Sequence, residues 1–433
     1  MGRRVVGIAD SDSFVKWGAS LLDGLPVDWD LTLVVVSSAL TASPRQVSDA
    51  VEHTRFGRER TRFLTVTQLL ADRDVSRADA VLVACRGPVA EVLLAELACR
   101  GPGRPVLVSG LPGISIPAKW KGIFYRAQAD LFVLHSHREV TAYLELAREH
   151  GTEVEFALAT LPFAHAAPGV VGPESTRDSI VFAAQAIVPR ERHERQYLVD
   201  RLCDLALAHP HLRVVVKVRA LPGEEQTHPE QYPLPDLFPL KAPPNLFVET
   251  GPMAVHLRRA VGFASVSSTA VLEAAAYGVP SILLDDFGVD ALLINEVFVG
   301  SGLIAPSDDL LALRFPQLDP AWLAQNYAHP DSDNTFHTRL DALCVDRDNG
   351  RLPERRPARR SRGGVLRRAW DRRHALGRSD TSVLGLIALV IGWPMFVLRR
   401  SQRARAAQRA VRLTGLVPAG GVQETRVPFQ RRL

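Results

Sequence analysis

The sequence predicts an α/β protein: two doubly wound domains in succession, followed by a basic, partly hydrophobic C-terminal tail. Short, continuous apolar runs alternate with helical patterns over residues 1–165. The alternation pauses in an Ala-, Gly- and Pro-rich stretch at 164–177 and resumes over 178–345. Beyond residue 350 the charge changes sign. Residues 351–433 hold 20 Arg, no Lys and 4 acidic residues, a formal +16, while the remainder has 32 basic and 43 acidic residues, −11. Apolar runs without alternation are what a parallel sheet covered on both faces requires. At 433 residues the chain exceeds one core, and 46% hydrophobic with 23% charged residues describes a folded protein.

In the first domain, strands are expected at residues 5–10, 31–37, 62–66, 80–84, 105–110, 131–135 and 154–159, with helices at 14–22, 88–98 and 138–150. In the second, strands are expected at 180–184, 213–218, 246–248, 261–266 and 281–284, with helices at 200–208 and 269–277. Residues 221–244 carry many prolines and read as an ordered loop or lid. This is a Rossmann-like layout stated twice. Such sheets bind ligands outside the carboxyl ends of their strands, so the two domains are expected to face each other across a cleft.

The tail is a separate module. Residues 351–364 form an Arg-, Pro- and Gly-rich linker, 365–377 a basic helix, and 381–398 an uncharged segment followed at once by Arg399, Arg400, Arg403 and Arg405. Its 18 residues lie at the short limit for a span, since a bilayer core needs ~20. Pro394, Gly385 and Gly392 suggest a bent helix. Arginines at both ends favour a peripheral or monotopic anchor on the cytoplasmic face of the cell membrane, bound to an anionic surface, over a simple crossing. The alternative is a helix packed on the two-domain core. No aromatic interleaving supports nucleic-acid binding. Cys85, Cys99, Cys203 and Cys344 show neither metal spacing nor a disulfide framework, and read as reduced thiols in the cytoplasm. The opening MGRRVVGIADSD reaches acidic residues too soon for a secretory signal.

The most informative stretch is VSSTAVLEAAAYGVPSILLDD, residues 266–286. It reads as a strand end, a turn of N-cap residue types (Ser267, Ser268, Thr269), a helix, a Gly278 αL cap, a helix-stopping Pro280 and a second buried strand. Unpaired N–H groups at such a turn suit a diphosphate, and Glu273 in the first helical turns suits a ribose hydroxyl. An ordinary αβ unit of any doubly wound sheet is the alternative.

Ser267, Ser268, Thr269, Glu273, Ala274, Gly278 and Pro280 resemble the donor-nucleotide motif of GT-B-fold glycosyltransferases, in which small residues precede Glu-Ala and then Gly-x-Pro. His228-Pro229 followed by Ser-Ser also resembles the paired motifs of bacterial polysialyl and capsule transferases, and the pattern from SDSFVKWGASLL onward looks like a bacterial glycosyltransferase set. The resemblance implies the GT-B architecture over residues 1–345 and a nucleotide-sugar co-substrate with no cofactor and no metal. Ser267, Ser268 and Thr269 would hold phosphate and Glu273 ribose. Many retaining members carry a second Glu eight positions earlier; here that position is Ser265, which favours inversion.

Other residues can carry chemistry. Lys217 and Arg219 end the second strand of the second domain, where a cation can neutralise a leaving phosphate, or be a solvated strand end. The turn ending Glu249-Thr250-Gly251 approaches the donor's base or ribose in GT-B relatives. Asp10, Ser11, Asp12 and Ser13 crowd the turn after the first strand. Asp12 is a candidate general base for an acceptor hydroxyl, an N-cap role being the alternative. His135 and His137 are further candidate bases. The loop 110–117, with Lys119, Trp120 and Lys121 after it, suits contact with an acceptor or a lipid phosphate, or is a structural turn with a packed Trp.

The expected activity is sugar transfer from a nucleotide-sugar to a lipid-linked or cell-surface polysaccharide acceptor. A sugar-nucleotide epimerase of the same fold and a non-catalytic nucleotide-binding module are the alternatives.

Overall fold

The computed structural model describes residues 2–52, 54–57, 61–101, 103–161, 177–218, 230–355 and 364–392. The chain divides into two compact units, Met1–Ala358 and Arg359–Leu433.

The first unit holds two sheets. Strands β1 (Arg4–Ala9), β2 (Asp30–Val36), β3 (Thr61–Leu64), β4 (Ala80–Ala84), β5 (Val106–Gly110), β6 (Leu131–Leu134) and β7 (Glu155–Leu158) form a seven-stranded sheet in the order 3-2-1-4-5-6-7. Strands β8 (Ser179–Ala183), β9 (Arg213–Lys217), β10 (Leu246–Glu249), β11 (Ala260–Ser265), β12 (Ser281–Leu284) and β13 (Ile304–Ala305) form a six-stranded sheet in the order 10-9-8-11-12-13. All pairings are parallel, for example Val5 beside both Leu31 and Ala80. The twelve expected strands are present with ends moved by a residue or two; β13, two residues long, is additional. The expectation of two Rossmann-like domains in a GT-B arrangement therefore holds.

Helices pack between and beside the strands: α1 (Asp12–Asp23), α2 (Pro44–Val51), α3 (Val66–Ala71), α4 (Arg73–Arg77), α5 (Gly87–Ala98), α6 (Trp120–Phe124) and α7 (His137–Glu149) in the first domain. The second carries α8 (Arg192–Ala208), α9 (Met253–Leu257), α10 (Ala270–Ala276), α11 (Ser307–Leu311) and α12 (Pro320–Asn326), then α13 (Phe336–Asp348). The strands are aliphatic because both sheet faces are covered, and Val, Leu, Ile and Ala from them fill the cores. Gly278 adopts φ +64° after α10, and the Val279 amide donates back to Ala274 O, which ends the helix as expected.

Helix α13 belongs to the first domain's core although it follows the second domain in sequence. Phe336, Leu340 and Cys344, on one helical face, are buried among Val5, Leu22 and Val106. The expected second-domain boundary at 345 thus cuts a helix that returns to the first sheet. Outgoing and returning segments are stitched together: Thr335 N donates to Leu158 O at 2.9 Å, and Leu158 N to Thr335 Oγ1 at 3.0 Å.

In the second unit, α14 (Gly364–Leu376) occupies the expected basic helix. Among the described residues no single helix is long and apolar enough to cross a membrane. The helical segments Gly364–Ser379 and Val383–Gly392 form a pair bent by 110°. Val383, Leu386, Val390 and Ile391 on the latter are exposed. Residues 393–398 of the expected apolar segment, and the arginines after it, lie outside the described residues.

Candidate functional site

A cleft of about 2210 Å³ is lined from both domains. In each sheet the strand order reverses at one place, between β1 and β4 and between β8 and β11, where the loops leaving neighbouring strand ends part to opposite faces. The cleft is built around these two points.

At the first point, Asp10 follows β1 and Arg86 follows β4. The buried Asp10 carboxylate accepts from Arg86 Nε at 2.9 Å and Arg86 N at 3.1 Å, and Arg86 Nη2 continues to Ser38 Oγ at 2.9 Å. Burial raises the Asp10 pKa against the opposing pull of Arg86. Ser11 then takes the N-cap position of α1 without a side-chain capping bond, and Asp12 stands exposed in the first turn on the cleft lining. Lys16, one turn on, also lines it.

At the second point, Gln185 follows β8 and Ser267 follows β11. The Gln185 amide bonds both the Ser267 hydroxyl and, at 2.9 Å, the Ser267 N–H. Ser268 N donates to Ser265 Oγ at 3.3 Å, and Ala270 N to Ser268 Oγ at 3.2 Å. Three amides of this turn are therefore already paired, which corrects the expectation of open N–H groups. Ser267 is buried in the turn, while Ser268 and Thr269 line the cleft; the Thr269 side chain makes no capping bond.

Glu273 lines the cleft one turn further, its side chain 15% exposed, with Lys16 Nζ of the opposite domain 4.0 Å from its Oε1. Burial raises its pKa, and Lys16 and Lys217 pull the other way. Lys217, at the end of β9, is also on the lining. Lys16, Lys217 and Glu273 form one electrostatic group drawn from three elements. Arg219 and His228 lie outside the described residues.

His135 is corrected. It has no exposure: Trp17 Nε1 donates to its Nε2 at 2.7 Å, and its Nδ1 bonds Ala159 O at 2.8 Å. Burial holds its pKa at about 4, so the ring is neutral and both nitrogens are engaged within the first-domain core. Gly110 at the end of β5 allows this packing, because a Cβ there would stand 2.8 Å from the Trp17 ring. His137 bonds Asp333 at 2.9 Å and is not part of the cleft lining. Trp120 stacks on His150 with ring centres 4.0 Å apart and packs on the first-domain core, leaving Lys119 and Lys121 on the cleft.

Glu139, unmarked as chemistry by the sequence, is a buried latch. Ser136 caps α7 by accepting from Glu139 N at 3.1 Å, which turns this side chain inward. Its Oε1 accepts from Ser115 N at 2.7 Å and from Tyr327 Oη at 2.8 Å, and its Oε2 from His135 N at 2.9 Å. Ser115 belongs to the Gly-Pro loop and Tyr327 to the second-domain core, so one carboxylate holds the cleft loop and both domains.

A family model described as "Putative glycosyltransferase (DUF6716)" matches residues 5–343. The chain belongs to that family. Among curated proteins, none matches this family member. Its fold is similar to a "putative UDP-N-acetylglucosamine 2-epimerase" from Listeria monocytogenes, at 12% identity and TM-score 0.50, covering 82% of this chain and 99% of that one. It is likewise similar to MnaA from S. aureus, solved with UDP, at 10% identity and TM-score 0.51, covering 82% and 99%. These likenesses concern the fold.

Proposed function

We propose that this family member transfers a sugar from a nucleotide-sugar to a lipid-linked or cell-surface polysaccharide acceptor, with inversion and without a metal, at the cytoplasmic face of the cell membrane. The observation that carries the reading is the meeting of Glu273, Lys217 and Lys16 in the cleft, beside the Ser268–Thr269 turn. A carboxylate held at low exposure can accept from ribose hydroxyls. Two lysines and two hydroxyls supply positive charge and donors for a diphosphate, the role a metal would otherwise serve.

In the proposed reaction Asp12 takes the proton of the acceptor hydroxyl. That oxygen bonds to the anomeric carbon as the bond from this carbon to the diphosphate oxygen breaks. The nucleoside diphosphate leaves with the bonding pair, and Lys217 and Lys16 meet its new charge. The S. aureus relative was solved with UDP, which makes UDP the first nucleotide to try. The tail supports membrane-surface binding through its 20 arginines, each worth ~1 kcal/mol near an anionic leaflet, and through the exposed apolar side chains of Val383–Gly392.

The test is the melting temperature of the full chain with UDP-, GDP-, CMP-, CDP- and TDP-linked sugars. Stabilisation by one class, lost in Glu273→Ala, is expected; no shift with any donor defeats the donor site. Conversion of the sugar at C2 without any acceptor would instead assign epimerase chemistry. Sedimentation with vesicles containing phosphatidylserine, but not with phosphatidylcholine alone, is expected for the tail.

A further inference from the structure

The first-domain wall of the cleft contains a buried cation that the proposed donor group does not include. Arg126, shortly after α6, is 2% exposed yet forms part of the cleft lining. Its Nη2 donates to Cys85 O at 2.9 Å and its Nη1 to Gly122 O at 3.4 Å. Its Nε–H is buried without an acceptor. The Asp10 carboxylate, which contributes to its field, is ion-paired with Arg86. The guanidinium lies over the ring of Phe14, 5.9 Å from its centre, and Phe14 also lines the cleft. Burial lowers the Arg126 pKa to about 10, which leaves it charged at neutral pH.

Among the described residues Arg126 forms no ion pair with a carboxylate. A buried charge without a counter-ion costs several kcal/mol, whereas a ligand that brings the anion recovers that cost. The arginine fork matches the paired oxygens of phosphate or carboxylate. Lys119 and Lys121, both exposed, line the same cleft from the start of α6. The loop before them is fixed by Glu139 through Ser115 N. Glu273, Lys217 and the Ser268–Thr269 turn come from the other domain, and of the proposed donor group only Lys16 shares this wall; an anion at Arg126 would be a second one beside the donor diphosphate.

We infer that Arg126, assisted by Lys119 and Lys121, binds an anionic group of the acceptor, a phosphoryl or a carboxylate. This rests on the glycosyltransferase reading and names the acceptor's chemistry.

The test uses the full chain with 15N-labelled arginine, the Arg126 Nε signal being identified by its loss in Arg126→Lys. Inorganic phosphate, acetate and, separately, UDP are titrated against sodium chloride at matched ionic strength. A saturable shift with phosphate or acetate but not chloride is expected, with affinity about tenfold weaker in Lys119→Ser/Lys121→Ser. Tighter phosphate indicates a phosphoryl-bearing acceptor; tighter acetate indicates an acidic sugar. No saturable shift from either anion overturns the inference, as does movement of the same signal by UDP, which would give Arg126 to the donor. Should Arg126→Lys not fold, stabilisation by phosphate in the presence of UDP is compared between wild type and the double lysine variant; an unchanged response overturns the inference. Failure of the donor reading is visible separately, as a melting temperature that UDP leaves unmoved.

Discussion

The two reversal points of the molecule are alike in topology and opposite in chemistry. Both lie between the first strand of a parallel sheet and the strand that starts its second half. The first is closed by a buried ion pair, Asp10 with Arg86, and backed by the buried Arg126. The second is closed by a neutral amide–hydroxyl contact, Gln185 with Ser267, and keeps a carboxylate, Glu273, on the cleft. Backbone geometry alone therefore does not decide what such a crevice binds. Charge at the strand ends is what differs, and on the proposed reading the difference suits a donor on one wall and an acceptor on the other.

The largest test of this contrast is Glu139→Ala. It removes the acceptor of Ser115 N, His135 N and Tyr327 Oη at once, leaving three donors unpaired, two of them buried. A loss on the order of 3–5 kcal/mol in urea unfolding is expected. A loss below about 1 kcal/mol would remove Glu139 as the latch between the walls.

Next comes the acid limb of stability. His135 is held neutral in the fold with a pKa of about 4 and titrates near 6.5 when unfolded. Between these values the unfolded chain binds the extra proton. The contribution of His135 is thus fully present above pH 6.5 and lost as pH falls toward 4, a swing of about 3 kcal/mol. Subtracting the pH profile of His135→Gln from that of wild type isolates it; identical profiles would mean the ring is not sealed in the core.

A smaller effect, but the one that separates the two walls, is expected for Glu273→Ala. On the proposed reading, loss of a hydrogen bond to a charged group weakens UDP binding roughly 10- to 100-fold. Because burial raises the Glu273 pKa, its charged form destabilises the fold at neutral pH, so the unliganded variant should melt higher than wild type. A lower melting temperature with unchanged UDP affinity would make this carboxylate structural. The smallest effect belongs to Lys16→Ser. With Lys16 about half exposed and 4.0 Å from Glu273, stability should change by less than ~1 kcal/mol while UDP affinity falls a few-fold in calorimetry.

The fold was legible because both-face burial writes each parallel strand as an unbroken apolar run, as in Ala80–Ala84. Strand β13 escaped because two residues make no run, and residues 336–345 fall within the expected second domain because nothing local says which sheet Phe336, Leu340 and Cys344 cover. Cleft-lining residues on one supersecondary unit, Ser268, Thr269 and Glu273, could be read from spacing. Lys16 could not, since its partner is 257 positions away, nor could Arg126, whose character depends on burial. Arg86 did leave a signal, a charge directly after the apolar run of β4, at a strand's carboxyl end. His135 misled because a histidine at a strand end reads the same whether it faces the cleft or Trp17.

The returning helix α13 also sets the order in which the molecule can be finished. The seven strands of the first sheet have all emerged by Leu158, but Phe336, Leu340 and Cys344 of its core are made only after the whole second domain. At ~5–20 residues per second, the first domain waits roughly 10–40 s with an uncovered apolar face. The domain that begins first is completed last, and a chain stopped short of residue 336 would leave both halves translated and the first domain's core open on one side.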